Sequence, residues 1–346
     1  MAEQRAPATA DLEAVTLDAV EATGEVLRAA LQEMKRVIVG QDDLLERVLV
    51  ALLADGHLLI EGVPGLAKTL TVKTLAEVLG GAFHRVQFTP DLVPSDLLGT
   101  RVWRPNSEEF DVELGPIVCN FLLADEINRA PAKVQSALLE VMQERQVTIG
   151  GQTFLVPSPF LVMATPNPIE SEGTYPLPEA QMDRFLMKVV VDYPGSGEEM
   201  EVVQRSLSDQ PALRKVLSTD DLLTLRRIGT DVFIDRPVRE YAVALTLATR
   251  DPVAAGVPNL GPWIAFGASP RGSIGLVHAA RALALLRGRT YVKGEDVHDL
   301  VKDVLRHRLV LTYEGLAEGV DPDTILEAIL EKVPMPVARP SDGAFA

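Results

Sequence analysis

Residues able to bind phosphate and magnesium occur at two places in the first half of the chain. The first is GVPGLAKT, residues 62 to 69, which fits the phosphate-loop pattern G-x-x-x-x-G-K-[ST] except at Ala67. In that pattern backbone N–H groups and a helix N-terminus hold the phosphates, Lys68 supplies positive charge and the Thr69 hydroxyl binds Mg²⁺. Alanine suits position 67 if the backbone there is already helical, whereas a positive φ would require glycine. Taken alone, the segment could also be a Gly/Pro turn before an amphipathic helix.

The second place is FLLADE, an apolar run that ends in Asp125 and Glu126. A buried strand of a parallel sheet would carry both carboxylates to its carboxyl edge, where ligands bind in open α/β sheets. There Asp125 would hold Mg²⁺ through water, and Glu126 would polarise the attacking water. The alternative is an acidic start to the amphipathic helix APAKVQSALLEVMQE. A phosphate loop followed by a carboxylate pair favours nucleotide hydrolysis over that alternative.

A third polar group follows the apolar run PFLVMAT, which ends in the tripeptide PNP. Asn167 can therefore project from the same sheet edge and orient the lytic water beside Glu126. A lone Asn-Pro pair is more often only a turn. Its place after the strand that follows the carboxylate pair favours the functional interpretation.

The elements that must position these residues are apolar runs of strand length alternating with helix-period segments. The runs are HLLIE (57–61), RVQF (85–88), NFLLAD (120–125), PFLVMAT (159–165) and FLMKVVV (185–191). Such alternation predicts an α/β fold with a parallel sheet covered by helices on both faces. DYPGSGEE reads as a linker, and helix starts at Thr219, Asp235, Ser269-Pro270 and Asp323 predict a small helical second domain. The predicted divisions are a disordered 1–12, a core over 13–194, a lid over 195–334 and a flexible tail over 335–346.

Two stretches interrupt the alternation. Residues 89–116 form a passage that reads as non-helical and is too long for a simple connection, so it is predicted to be an insertion with its own function. QVTIGGQTFLV, residues 146–156, places Gly-Gly between two β-type runs and predicts a hairpin.

Composition limits the partners and the compartment. A formal net charge of −16 argues against nucleic acid as a partner, because phosphate-backbone binding needs clustered Lys and Arg. The single cysteine, Cys119, lies in an apolar run and reads as a small buried hydrophobe. No apolar stretch is long enough to span a bilayer, and the N-terminus does not resemble a signal peptide. We expect a soluble cytoplasmic protein.

Four segments together resemble the MoxR group of AAA+ ATPases, and the resemblance runs from VIVGQ at 37–41 to about Val333. The segments are GVPGLAKT, FLLADEINRAPAKVQSALLEVMQE, ATPNPIESEGTYPLPEAQMDRF and GASPRGSIGL. The resemblance implies a five-stranded AAA+ core and a helical lid, assembled as a homo-oligomeric ring, pointing to a hexamer, with ATP between subunits. It also makes residues 89–116 similar to the helix-2 insert and residues 146–156 similar to the pre-sensor-1 hairpin. Alanine at position 67 is usual in that group.

The resemblance assigns site residues by motif. Asn167 looks like sensor 1, Arg184 like the arginine finger and Arg271 like sensor 2. The nucleotide-binding residues it implies are Val39, Gly40, Gln41, Gly62, Val63, Pro64, Gly65, Leu66, Ala67, Lys68, Thr69 and Leu70.

The arginines also have simpler interpretations. Ser269 and Pro270 place Arg271 at a helix start, so its side chain and that helix N-terminus can face one anion. Arg184 could instead pair with Glu179 or Asp183. Arg129 could reach the next subunit's nucleotide or pair with a carboxylate. Similarly, Trp103 and Phe110 of the insertion could contact a client or pack locally.

The function expected from these residues and the resemblance is Mg²⁺-dependent ATP hydrolysis that remodels a protein client, as a chaperone or assembly factor. The family's partners typically carry von Willebrand factor A domains. The alternatives are a metal-chelatase-like motor subunit, a nucleotide-gated scaffold with negligible turnover and a DNA-associated motor. The acidic balance speaks against the last of these.

Overall fold

The computed structural model of the chain describes residues 17–62, 68–167, 175–209 and 211–336. Its first region alternates helices with strands. In chain order these elements are α1 (Leu17–Lys35), α2 (Asp42–Leu53), β1 (Leu58–Gly62), α3 (Lys68–Leu79), β2 (Phe83–Gln87), α4 (Pro94–Leu98), β3 (Gly99–Arg104), β4 (Glu109–Leu114), β5 (Phe121–Asp125), α5 (Ala132–Glu144), β6 (Gln146–Ile149), β7 (Gln152–Leu155), β8 (Leu161–Thr165), α6 (Glu179–Met182) and β9 (Met187–Val191).

Within the described residues, five strands form one parallel sheet in the order β2-β5-β8-β1-β9. These strands are the five predicted apolar runs, with ends that differ by one or two residues. Successive side chains of a strand point to opposite faces. Leu123 of β5 accordingly lies in a hydrophobic cluster with α1, α2 and α3, whereas Leu122 lies in a second cluster with α5. The predicted parallel sheet with helices on both faces is confirmed.

The insertion between β2 and β5 holds α4 and an antiparallel hairpin of β3 and β4. The expectation that this passage is non-helical is wrong at α4, where Pro94 occupies the first turn and the Asp96 carboxylate accepts from the Val93 N–H at 2.9 Å. Trp103 and Phe110 are opposite each other in the hairpin with ring centroids 5.0 Å apart. Local packing of these rings is therefore confirmed, and client contact stays a prediction, since both side chains are about half exposed.

The predicted hairpin at 146–156 is confirmed as β6 and β7, which pair antiparallel from Gln146↔Leu155 to Ile149↔Gln152. Gly150 and Gly151 form its turn with φ of 58° and 84°. A two-residue turn of this hand requires positive φ at both positions, which glycine adopts readily.

The second region is mainly helical. Its elements are α7 (Ser196–Ser206), α8 (Thr219–Asp231), α9 (Arg236–Arg250), β10 (Ile264–Phe266), α10 (Pro270–Leu286), α11 (Gly294–Leu305), β11 (Val310–Leu311), α12 (Tyr313–Ala317) and α13 (Pro322–Lys332). The two-stranded pairing of β10 with β11 is an addition that the sequence did not predict. None of the helices in the described ranges combines the length and apolar character needed to cross a membrane.

Helix starts in this region follow side-chain caps. Asp235 and Ser269 are N-caps, as predicted. The helix predicted to start at Thr219 begins there, with Ser218 as its cap, whereas the helix predicted to start at Asp323 begins one residue earlier, at Pro322, with Asp321 as its cap. The predicted linker DYPGSGEE is only partly a connection, since α7 begins at Ser196.

The lid is joined to the sheet by a shared core. Leu276 of α10 and Val301 of α11 are fully buried in the same cluster as Ile60 of β1 and Val189 of β9. The predicted boundary at residue 194 lies in the segment between β9 and α7. The helical lid therefore packs against α1, α2 and the edge strand β9, and it continues the hydrophobic core of that face of the sheet.

Cys119 is buried in the cluster on the other face of the sheet. Burial raises the pKa of its thiol to about 12, so the thiolate that reacts with electrophiles is not formed near neutral pH. The interpretation of Cys119 as a small buried hydrophobe is confirmed.

Candidate functional site

The carboxyl ends of β1, β5 and β8 meet at one edge of the sheet. Gly62 ends β1, and a Cβ at this position would lie 2.5 Å from the Val191 carbonyl oxygen of β9, so only glycine fits. Lys68 begins α3, and its Nζ donates to the Gly62 carbonyl at 2.6 Å. Burial lowers the pKa of Lys68, and the charges of Asp125 and Glu61 oppose that effect. The ammonium group therefore lies in the field of the Asp125 carboxylate. The rest of the loop, including Ala67 and residues 63–66, lies outside the described residues.

Asp125 is held by two side chains that sequence reasoning missed. Thr165, directly opposite in β8, donates its hydroxyl to Asp125 Oδ1 at 2.5 Å. Arg85 of β2 donates through Nη2 to Oδ2 at 2.7 Å. Thr165 and Arg85 both lie on strands beside β5, so the strand order, which cannot be read from one sequence, is what brings them to Asp125.

The oxygen donors at this edge fit magnesium. A carboxylate at Asp125 and a hydroxyl at Thr69 are hard ligands of the kind that Mg²⁺ takes in proteins. Within the part of the chain that the structure describes, no group of three or more His, Cys, Asp or Glu could enclose a metal ion. Mg²⁺ usually takes only one or two protein ligands and completes its shell with water and substrate phosphates. The donor set therefore fits a magnesium–nucleotide complex better than a cage built by protein alone.

Glu126 lies directly after β5 in a left-handed conformation, with φ 56° and ψ 46°. This conformation is uncommon for a residue other than glycine and is concentrated at functional sites. Its Oε1 accepts from Asn167 Nδ2 at 3.4 Å, and its Oε2 accepts from Arg129 Nη1 at 2.9 Å. The structure thus brings Asn167 to Glu126, and of the two interpretations of Arg129 it shows the carboxylate pair.

Asn128 is a further residue that the sequence analysis did not single out. Its Nδ2 donates to the Asn167 carbonyl at 3.0 Å, and its Oδ1 accepts from the Asn167 N–H at 2.8 Å. This reciprocal pair fixes the backbone that carries the Asn167 amide. Asn128 stands only two residues after Glu126, and that spacing is the signal that could have identified it.

A cavity of about 610 Å³ lies beside the start of α3. Val39, Gln41 and Leu70 line it together with Val202 and Arg205 of α7. Largely apolar cavities with a few polar groups are typical of small-ligand sites. Val39 and Gln41, predicted with Gly40 to lie beside adenine, therefore share a cavity with Leu70 of the helix that follows the predicted phosphate loop.

Arg184 and Arg271 lie elsewhere. Both line a second cleft of about 480 Å³ that also includes Gly56 and His57, the residues just before β1. This cleft is therefore at the amino edge of the sheet, about 16 Å from the carboxyl edge by the rise of a five-residue strand. Within one chain, neither arginine meets Lys68 or Glu126.

The contacts of these two arginines within one chain are with the protein backbone and with Asp183. Arg184 donates through Nη1 to the Leu139 carbonyl at 3.0 Å. The Asp183 carboxylate pairs with Arg308 at 2.8 Å and lies 3.7 Å from Arg271. Asp183, one of the carboxylates considered for Arg184, is thus engaged by lid arginines.

Comparison with known proteins gives the class. Residues 57–187 match the model of the ATPase family associated with various cellular activities (AAA), and residues 261–329 match the AAA lid domain. The chain is 59% identical to Chaperone MoxR1 of Mycobacterium tuberculosis over 90% of this chain and 82% of that protein. It is 32% identical to Protein MoxR of Methylorubrum extorquens over 88% of this chain and 94% of that protein. A crystal structure of a candidate ATPase from Cytophaga hutchinsonii superposes with a TM-score of 0.87 at 45% identity, covering 92% of this chain and 97% of that one.

The core sheet, the lid and these matches define an AAA+ protein. Within that class, the chain belongs to the MoxR family of AAA+ ATPases.

Proposed function

We propose that this chain hydrolyses ATP with Mg²⁺ at a site shared between neighbouring copies, and that the cycle remodels a protein client. The observation that carries the proposal is that the predicted site residues lie in two groups at opposite edges of the sheet. Lys68, Asp125 and Glu126 lie at the carboxyl edge of the sheet, whereas Arg184 and Arg271 lie at the amino edge.

The carboxyl-edge half would bind the nucleotide and activate the attacking water. Lys68 would meet the β and γ phosphate oxygens, and Thr69 and Asp125 would hold the magnesium ion, which would neutralise phosphate charge when bound. Glu126 would take a proton from the attacking water, because its carboxylate contacts Asn167, whereas Asp125 is engaged by Thr165 and Arg85. Asn167, 3.4 Å from Glu126, would orient that water.

The amino-edge half would act on the neighbour. A surface that offers arginines at one edge and a phosphate site at the other is suited to head-to-tail association, which forms a ring when the rotation between copies closes. In that arrangement Arg184 and Arg271 of one copy would face the γ-phosphate bound by the next copy. Such arginines stabilise the charge of the transition state and contribute on the order of 10³-fold or more in rate. The MoxR resemblance points to six copies in the ring.

Remodelling of a client rests on relatives. Chaperone MoxR1 is a chaperone by name, and the match covers 90% of this chain. We extend that role to this chain, with a von Willebrand factor A domain protein as the client class and the cytoplasm as the compartment.

The test is a mixing experiment with Glu126→Gln and Arg184→Ala, each of which we expect to be inactive alone. Combined, they should recover ATP hydrolysis, because mixed neighbours contain sites with an intact Glu126 and an intact Arg184. Arg236→Ala is the control, since its side chain is 80% exposed and pairs only with Glu240 of the same helix in the described contacts. Failure to recover activity, with co-assembly shown by pull-down of differently tagged copies, would rule out a shared site.

A further inference from the structure

Residues 183–186, the segment that carries Arg184, are hydrogen-bonded by one buried arginine of the lid. Arg308 donates to the carbonyl oxygens of Asp183, Phe185 and Leu186 at 3.3, 2.7 and 3.1 Å. His307 adds a contact between Nε2 and the Phe185 carbonyl at 3.1 Å. The backbone on both sides of Arg184 is thus fixed by the segment that follows α11.

The charge of Arg308 is balanced by Asp183. The Arg308 side chain is only 3% exposed, and its Nε donates to Asp183 Oδ1 at 2.8 Å. Burial lowers the pKa of Arg308, while Asp183 opposes that effect. A buried charge of this kind needs a paired and hydrogen-bonded partner, so Asp183 is required for Arg308 to hold its position.

The same carboxylate also reaches the start of α10. Its Oδ2 accepts from the Ser269 hydroxyl at 2.8 Å, and Ser269 caps the helix that carries Arg271. Asp183 therefore links the backbone beside Arg184, the buried Arg308 and the helix start beside Arg271. All these contacts lie in or beside the amino-edge cleft.

We propose that Asp183 and Arg308 are positioning residues that join Arg184 of the core to the lid, which carries Arg271, so that both arginines are presented to the neighbouring nucleotide as one rigid unit. This inference rests on the shared site proposed above. Loss of Asp183 or Arg308 should therefore impair the action of Arg184 and Arg271 on the neighbour's nucleotide. ATP binding by the altered chain itself should not change.

The test compares Asp183→Asn with a matched control, Asp323→Asn. Asp323 also pairs with a buried lid arginine, Arg306, whose side chain is 9% exposed, and Arg306 binds the Lys188 carbonyl of β9 rather than the Arg184 segment. Each change removes the charge of a carboxylate that pairs with a buried lid arginine, across the lid and the core for Asp183 and within the lid for Asp323. Arg306 keeps Asp303 as a second partner at 2.9 Å. We expect Asp183→Asn to lower kcat by about 100-fold, the scale of loss for a misplaced catalytic group, with KM for ATP unchanged. Asp323→Asn should keep kcat near that of the unaltered protein.

Mixing then shows which half of the site is damaged. Asp183→Asn should regain activity with Glu126→Gln, which has intact arginines, and should gain nothing with Arg184→Ala. Three results would overturn the proposal: an unchanged kcat, an equal loss in Asp323→Asn, or no recovery with Glu126→Gln under conditions where Arg184→Ala recovers. Should Arg184→Ala itself fail to recover, the shared site falls and this inference falls with it.

Thermal unfolding of every variant accompanies the kinetics. If Asp183→Asn does not fold, the double variant Asp183→Asn with Arg308→Gln removes the buried charge together with its partner. That variant is expected to show the same loss of kcat and the same recovery with Glu126→Gln. A folded double variant with normal kcat would refute the proposal.

Discussion

At the residue scale, the proposed function gives two side chains at the carboxyl edge separable tasks. Lys68 is a partly buried cation in the field of Asp125, whereas Glu126 is a carboxylate held between Asn167 and Arg129. The first is suited to phosphate binding and the second to proton transfer. Substitution at each should therefore damage a different step.

We expect Lys68→Ala to abolish nucleotide binding, and Glu126→Gln to bind ATP while kcat falls by about 10² to 10⁴-fold, the usual range for loss of a general base. Binding of a fluorescent ATP analogue and steady-state phosphate release measure the two effects. Lys73→Ala is the matched control, since Lys73 lies on the same helix with its side chain 60% exposed. Normal turnover by both site variants would refute this assignment.

The chemistry of individual residues was readable from the sequence wherever it followed a strand. Asp125, Glu126 and Asn167 could be placed at one edge because each follows an apolar run. Arg85 and Thr165 could not be placed beside Asp125, since their contacts depend on which strands are neighbours. Sequence motifs likewise could not show that Arg271 lies with Arg184 and away from Lys68.

At the element scale, His57, which directly precedes β1, hydrogen-bonds to both β8 and α5. Its Nδ1 accepts from the Val162 N–H of β8 at 3.0 Å, so the proton is on Nε2, which donates to the Met142 carbonyl of α5 at 3.1 Å. Only the neutral ring can make both contacts. Burial lowers the pKa of His57 from 6.5 to about 3, and the charge of Arg145 adds to that effect.

The shift predicts loss of stability in acid. Below pH 6.5 the unfolded chain takes up a proton at His57 that the folded chain does not, so the free energy of unfolding falls as the pH falls. From pH 7.5 to pH 5 this one group should remove about 2 kcal/mol. His57→Gln keeps a donor and an acceptor but does not titrate, so its unfolding free energy should lose less over that range.

Urea unfolding at the two pH values measures this difference. His84→Gln is the control, because His84 is exposed on β2. His307, whose pKa burial also lowers, stays in every variant and does not affect the comparison. An identical pH dependence in His57→Gln and the unaltered chain would contradict the prediction.

Elements were predictable where a single local rule decided them. The five strands followed from apolar runs, and the hairpin at 146–156 followed from Gly150 and Gly151. The helix α4 was missed because its five residues are too few to show a helical period, and β10 with β11 was missed because their pairing joins segments more than forty residues apart.

At the scale of the whole molecule, the shared site proposed above would make a single chain an incomplete catalyst. Each copy would supply a phosphate site to one neighbour and arginines to the other. Activity per chain should therefore depend on association as well as on the residues of the site.

We expect the specific ATPase activity to fall when the protein is diluted, and to be restored by excess Glu126→Gln, which cannot hydrolyse ATP but can supply arginines. Phosphate release across a dilution series, with sedimentation at the same concentrations, tests this. Constant specific activity at concentrations where sedimentation shows only monomers would contradict it.

The hydrophobic cluster shared by the sheet and the lid should make the two regions unfold together. Leu276, Val301, Ile60 and Val189 are all fully or almost fully buried in that one cluster. Separating the lid from the sheet would expose apolar surface on both, so we expect neither region to fold independently. The chain should melt in a single transition, and a fragment ending near residue 194 would keep α1, α2 and α3 on that face but expose the apolar surface that the lid covers, and aggregate.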